Sequence, residues 1–283
     1  MLSTIAIAIS ATIILIASIT DLKTYEVPDT LTYLGVALGW LIATISSIQQ
    51  WSATPAISSA IGTLIGFAIG AAMFYTGQWG GGDAKLMIAL GSLLGFSPHL
   101  DNTFVAFTTN LIFAGGLWGL AWSLGLFAVN RKRAWRAFKA LMHQKAYVRV
   151  RTATLASTTL LLILALLMKE FQLELFALAM LCYALSHLAL AAKSIELVAM
   201  HKWISPEKLT EGDWLVHSVK VGKVRIDPRK TGLEMEDVKK LKELHRKGKL
   251  DKVCVKFGVP FVPSFLIAFA FTIAFGNVLL LIL

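Results

Sequence analysis

Apolar runs of about 20 residues, each long enough to cross a bilayer, recur along this chain, and they limit its fold more than any other feature. Eight can be read, at about 2–20, 28–48, 55–76, 80–98, 102–129, 152–168, 175–192 and 259–283. In lipid a segment must satisfy its own backbone polar groups, so runs of this kind fold as helices. Composition agrees: 16% of residues are charged, against roughly 25% in a soluble domain, and mean hydropathy is +0.68. The expectation is an all-α polytopic membrane protein of about eight transmembrane helices. The first run has no basic region before it and no polar mature chain after it, which points to a retained helix rather than a cleaved signal peptide.

The net charge of +10 could suggest a nucleic-acid partner, but its distribution reports topology instead. With both termini outside, Lys23, Lys85, the eight basic residues of 131–151 and the sixteen from Lys193 to Lys256 all face the cytosol, 26 of the 27 Lys and Arg. Only Lys169 is left outside. Basic residues are retained on the cytosolic side of short loops. Reading the fourth, weakest run as a re-entrant hairpin would flip every later loop and expose the stretch RKRAWRAFKALMHQKAYVRVR, so that run is kept as a span. The chain then divides into a transmembrane part, 1–192, with a basic cytosolic loop at 130–151; a small cytosolic α+β piece, 193–258, inserted before the last helix; and a C-terminal transmembrane helix, 259–283. Within the insertion, DWLVHSVKVGKVRID alternates apolar and polar residues around Val221, Gly222 and Lys223, as a hairpin does. Thr231 and Glu234 fit a capping box. Val238, Leu241 and Leu244 form an apolar stripe that Gly248 ends, and KVCVKF reads as a last strand. Cys182 and Cys254 are far apart with no CxxC spacing, so neither a disulfide framework nor a zinc site is expected.

Few acids lie near the membrane. Asp21 abuts the first apolar run, Glu26 and Asp29 follow it, and Asp83 opens the fourth run after Gly80, Gly81 and Gly82. The topology puts all of them on the cytosolic side, with Asp21 and Asp83 at similar depth. Two facing carboxyls cannot both ionise and so share a proton, the condition for aspartic-protease chemistry. The glycines are expected to let the chain leave helical geometry and a substrate backbone approach closely. Single aspartates at helix ends are ordinarily caps or interfacial charges. An ion-coupled transporter also carries intramembrane acids, but near the midplane, whereas these lie at the edge. A third reading is a membrane-anchored scaffold acting through residues 193–258.

The stretch Gly80, Gly81, Gly82, Asp83 fits the GxGD signature of intramembrane aspartic proteases. DLKTYEVPDTLTY resembles the segment that holds the first catalytic aspartate of type IV prepilin peptidases. GVPFVPSF, residues 258 to 265, resembles the opening of the last helix in archaeal members, including the preflagellin (archaellin) peptidases. The resemblance covers the first hundred residues and the last helix; residues 102–250 match no motif. It implies that Asp21 and Asp83 are the catalytic pair, with Gly80, Gly81 and Gly82 as the active-site loop. It implies removal of a basic leader, a class III signal peptide, from prepilin-like or archaellin precursors at the cytosolic face of the plasma membrane, without metal or organic cofactor. The PAL motif of the presenilin branch is absent, as is the four-cysteine module of many bacterial prepilin peptidases, so peptidase activity without N-methylation is expected. The pair of runs at 152–168 and 175–192 exceeds the roughly six spans of smaller preflagellin peptidases.

Other residues carry weaker readings. Glu26 or Asp29 could stand in for Asp21, though the resemblance favours Asp21. Lys85 could tune Asp83 by Coulomb attraction but is read as a residue that snorkels to the interface and fixes topology, and His187 is read as a packed neutral histidine bonded to a neighbouring helix rather than a catalytic one. The stretch from Arg131 to Arg151, with Trp135 and Phe138, reads as amphipathic and suited to anionic headgroups. A basic leader needs an acidic partner; the candidates are Glu234, Glu236 and Asp237, or Glu207, Glu211 and Asp213.

Overall fold

The computed structural model describes residues 2–222 and 224–282. Lys223, at the tip of the expected hairpin, and Leu283, at the end of the last expected span, lie outside them. The chain is mostly helical. Its elements are α1 (Leu2–Thr24), α2 (Asp29–Gln49), α3 (Thr54–Tyr75), α4 (Gly81–Leu94), α5 (Thr103–Met142), α6 (Lys145–Leu167), α7 (Gln172–Ile195), β1 (His201–Ile204), β2 (Trp214–Leu215), β3 (Val219–Val221), β4 (Val224–Ile226), α8 (Met235–Arg246), β5 (Val253–Lys256), α9 (Val262–Phe275) and α10 (Val278–Ile282). Among the described residues, six helical stretches are long and apolar enough to cross a membrane: Ser3–Thr24, Asp29–Gln49, Thr54–Tyr75, Thr103–Met142, Lys145–Leu167 and Lys169–Met200. The fourth and eighth expected runs are shorter. With 14 residues, α4 reaches only about 21 Å. The last run breaks between α9 and α10, where Gly276 adopts φ 75°. Asn110 bridges that break, its Nδ2 donating to the Gly276 carbonyl at 2.8 Å and its Oδ1 accepting from the Val278 N–H at 3.0 Å.

The chain forms two compact units. One comprises the residues through Ala121 together with those from Trp203 onward; the other runs from Trp122 to Lys202.

In the first unit, α4 packs against α3, α2 and α1. Its residues Ala84, Leu86, Met87, Ala89, Leu90, Gly91, Ser92 and Leu93 are buried. Small residues make this enclosure possible. Gly62, Gly66 and Gly70 line one face of α3, and a Cβ added at Gly66 or Gly70 would stand 2.6 or 2.8 Å from the carbonyl oxygen of Met87 or Ala84. Gly35 and Gly39 do the same on α2, against Ala89, Ser92 and Leu93. Lipid tails are as apolar as leucine, so helices in membranes associate through such close packing and through interhelical hydrogen bonds. Ser59 accordingly donates to the Ser92 carbonyl at 2.8 Å, and Ser92 to the Val36 carbonyl at 3.0 Å. The apolar core of this unit joins Ile14, Leu86, Met87, Leu90, Phe104, Phe107 and Phe265.

The α+β region of the same unit has a three-stranded sheet in the order β1-β5-β2 and a separate antiparallel hairpin of β3 and β4, with Val219 opposite Ile226 and Val221 opposite Val224. Val238 and Leu241 of α8 pack with Leu215, Ile226, Val253 and Val255 in its core. Gly248 closes α8 with φ 66°. The expected capping box does not form. The helix starts at Met235, after Glu234, because Leu233 is already engaged with the turn at 212–213: Gly212 donates to the Leu233 carbonyl and Leu233 to the Asp213 carbonyl, at 2.8 and 2.9 Å.

In the second unit α6 and α7 pack as a pair. The long helix α5, whose C-terminal part belongs to this unit, leaves helical geometry at Asn130 and then carries the basic residues 131–139.

Candidate active site

Asp21 lies in the last turn of α1. The residue is 5% exposed, and Oδ2 accepts the Val262 backbone N–H at 2.9 Å. Val262 opens α9, so its N–H is one of the donors a helix start leaves unpaired. The flanking Pro260 and Pro263 favour that start. Three further contacts hold it in place: Ser18 donates to the Val262 carbonyl at 3.3 Å, Trp118 Nε1 donates to the Pro260 carbonyl at 2.7 Å, and Phe261 and Phe265 pack against Trp79 with ring centroids 5.7 and 5.4 Å apart.

Asp83 is the third residue of α4. Its Oδ2 accepts the Gly80 backbone N–H at 3.1 Å, so the carboxyl closes over the start of its own helix. Asp83 is within Coulomb range of Asp21. The fold has therefore brought together two acids 62 positions apart, each held at Oδ2 by a backbone N–H at a helix start.

The glycines between Trp79 and Asp83 act differently from the expectation. None has positive φ: Gly80 is extended, with φ −72° and ψ 165°, and Gly81 and Gly82 are helical. What Gly82 supplies is space. A Cβ there would lie 2.8 Å from the Val27 Cβ and 3.2 Å from the Val27 nitrogen, so the α1–α2 connection can press against the start of α4. Left-handed geometry occurs earlier, at Gly77 with φ 74°, and in the same connection at Tyr25 with φ 61°.

Lys85 does not simply snorkel. Its Nζ pairs with Asp29 at 2.6 Å and sits 5.6 Å from the Tyr33 ring centroid, so Asp29 is engaged in an ion pair. Glu26 is exposed on the α1–α2 connection and is electrostatically linked to Asp213. The Tyr25 and Phe257 rings meet edge to face at 5.6 Å. Asp213 accepts the Thr210 N–H at 2.8 Å, and its pKa is raised above the ordinary carboxylate value, chiefly by burial.

The remaining acidic candidates do not converge. Glu234 and Asp237 share Arg229, the latter at 3.3 Å; Glu236 lies 3.7 Å from Lys240; and Glu207 lies 3.4 Å from Arg246. Glu211 is exposed on the turn before Asp213. Among the described residues, no group of three or more His, Cys, Asp and Glu side chains could hold a metal ion.

These features define a multi-pass helical membrane protein with a carboxyl pair assembled at helix ends. Comparison with known proteins narrows the class. Residues 8–120 match the type IV leader peptidase family, a range that includes both Asp21 and Asp83. The chain is 40% identical over 91 residues to a preflagellin peptidase of Methanococcus voltae, covering 32% of this chain and 38% of that protein. It is 37% identical over 81 residues to a preflagellin peptidase of Methanococcus maripaludis, covering 29% and 35%. It is 36% identical over 84 residues to the prepilin peptidase EppA of Methanothermobacter thermautotrophicus, covering 30% and 22%. The chain thus spans little more than a third, or less, of the length of the curated relatives it matches. No solved structure matches it. The family match covers both aspartate segments, whereas GVPFVPSF, residues 258 to 265, lies outside it.

Proposed function

We propose that this chain is a membrane-embedded aspartic endopeptidase that removes the basic leader from prepilin-like or archaellin precursors at the cytosolic face of the plasma membrane. The observation that carries this reading is that Asp83 lies within electrostatic reach of Asp21 inside the region similar to the leader peptidases. Both acids sit at helix ends rather than mid-helix, which favours hydrolysis over ion-coupled transport.

The chemistry follows from two carboxyls that share one proton. The ionised member takes a proton from water as the water oxygen bonds to the scissile carbonyl carbon. The protonated member donates to the carbonyl oxygen. As the tetrahedral species collapses, the leaving nitrogen is protonated and the C–N bond breaks. In both acids Oδ2 accepts a backbone N–H, which fixes the orientation of each carboxyl.

In this reading α4 and the α9–α10 segment complete eight crossings, with the termini outside and the residues of 193–258 in the cytosol. That placement keeps 26 of the 27 Lys and Arg inside, as the positive-inside rule favours. Glu26 and Asp213 then lie on the side of the dyad, suited to a basic leader. The paired Glu207, Glu234, Glu236 and Asp237, and the exposed Glu211, stand as weaker leader contacts.

The test is incubation of the purified protein in detergent with a precursor bearing a basic leader, the new N-terminus being mapped by mass spectrometry. A single cut between leader and hydrophobic segment supports the proposal. An intact precursor, under conditions where the protein remains folded, contradicts it.

A further inference from the structure

The second unit carries a feature the peptidase reading does not use. A cavity of about 30 Å³ is lined by Met142 at the end of α5, by Tyr147, Val150 and Arg151 of α6, and by Ser186, His187 and Leu190 of α7. Tyr147 and Arg151 are four residues apart, as are Ser186 and Leu190, so each set shares one face of its helix. Arg151 is half-buried. Among the described residues its guanidinium has no carboxylate partner; its one hydrogen-bond partner is the Met142 thioether, 4.0 Å from Nη1. A half-buried guanidinium without an anion is costly.

His187 completes the lining without neutralising that charge. Its Nδ1 stands 2.9 Å from the Tyr183 carbonyl, on its own helix rather than the neighbouring one expected. A carbonyl only accepts, so Nδ1 carries the proton. Ser186 Oγ donates to the same carbonyl at 2.9 Å. Acids are scarce in this unit, which holds eleven Lys and Arg against three Glu. Glu196 is paired with Lys193 at 2.8 Å, and Glu170 and Glu174 flank the start of α7, at its opposite end from His187.

The location identifies the anion. Arg151 stands where the basic first turns of α6, KAYVRVR, give way to an apolar stretch that runs to Leu167. That is the depth of lipid headgroups, and the adjoining apolar helices offer acyl chains a surface. The cavity has room for about two waters by volume. It therefore admits the two non-bridging oxygens of a phosphodiester, with glycerol and acyl chains outside, and Arg is the side chain that holds such a pair bidentately.

We propose that the α5–α6–α7 cavity is a binding site for the phosphate of one anionic membrane phospholipid, with Arg151 as its principal donor and Tyr147 as a second. The test uses the full chain in detergent, with native mass spectrometry after addition of a phosphatidylglycerol, a phosphatidylcholine or inorganic phosphate. The expected result is a one-to-one phosphatidylglycerol adduct that Arg151→Gln weakens by roughly tenfold or more. Arg149→Gln, which removes the same charge from an exposed neighbouring position, leaves the adduct intact. Arg151→Lys gives an intermediate loss. Precursor cleavage is unchanged in all three variants, which also reports that they fold. Equal adducts in wild type and Arg151→Gln, or equal losses in Arg149→Gln and Arg151→Gln, overturn the site. Displacement of the lipid by millimolar inorganic phosphate overturns the lipid as its occupant.

Discussion

The helix pairs α3–α4 and α6–α7 are both apolar, yet they are built on different terms. On α3, Gly62, Gly66 and Gly70 face the backbone of α4, and eight of the fourteen residues of α4 are buried. On α6 only Ala165 is buried, and on α7 only Ala179, Leu190, Ser194 and Ile195. Leu160, Leu166, Leu167, Leu173 and Phe176 all remain exposed in that pair, as side chains that meet lipid do. Hydropathy alone treats the two pairs alike. What separates them is glycine: Gly62, Gly66 and Gly70 let α3 approach the backbone of α4 and fix its position, whereas α6 and α7 contain no glycine.

If that contrast is correct, substitutions should divide by region. The largest effect belongs to the carboxyls. Asp83→Asn should lower precursor cleavage by at least roughly 10²–10⁴-fold, while His187→Gln in α7 should change it less than about twofold; both are read from product formation by mass spectrometry. Next comes packing. Gly66→Leu forces a side chain against the Met87 carbonyl and should cost about 1–3 kcal/mol along with most of the activity. Ala156→Leu, on an exposed position of α6, should leave thermal unfolding unchanged. Comparable losses in both would break the distinction.

Smaller still is the contact between Gly82 and Val27. Gly82→Ala sets a Cβ against Val27 and should slow cleavage by roughly tenfold, equivalent to about 1.4 kcal/mol. Val27→Ala in the same chain should restore much of the rate, since the interfering group is then gone. An absence of rescue would mean that Gly82 serves something other than close approach. The smallest effect is expected at the Lys85–Asp29 pair. Its side chains are 37% and 54% exposed, so Lys85→Gln should change stability by no more than about 0.5 kcal/mol. A larger loss would show that the pair positions the start of α4.

The contrast also explains what could be read from the sequence. The apolar runs, the two aspartates, the hairpin and the Val238–Leu241–Leu244 stripe were legible because each is a local pattern of one residue type. The role of Val262 was not, because its contribution is a backbone N–H exposed by the start of α9, and any residue except proline could supply it. The two prolines of GVPFVPSF were the available signal for that helix start. The glycines before Asp83 are visible in the sequence, where they suggest conformational freedom. Their function at Gly82 is spatial and depends on Val27, 55 positions away. The break at Gly276 is not legible in the sequence because it lies inside an apolar run and is stabilised from another helix by Asn110. The capping box at Thr231 satisfied a local rule that the tertiary pairing of Leu233 with the 212–213 turn overrode.

The central claim is that Asp21 and Asp83 act as one unit. It is tested most directly by single-turnover cleavage rates of Asp21→Asn, Asp83→Asn and the double variant, all measured on protein with wild-type expression and unfolding temperature. Residues acting as a unit are strongly non-additive, so the account predicts that the two single variants lose nearly all activity and that the double variant loses no more. A single variant that cleaves at the wild-type rate, or losses that multiply in the double variant, would contradict it.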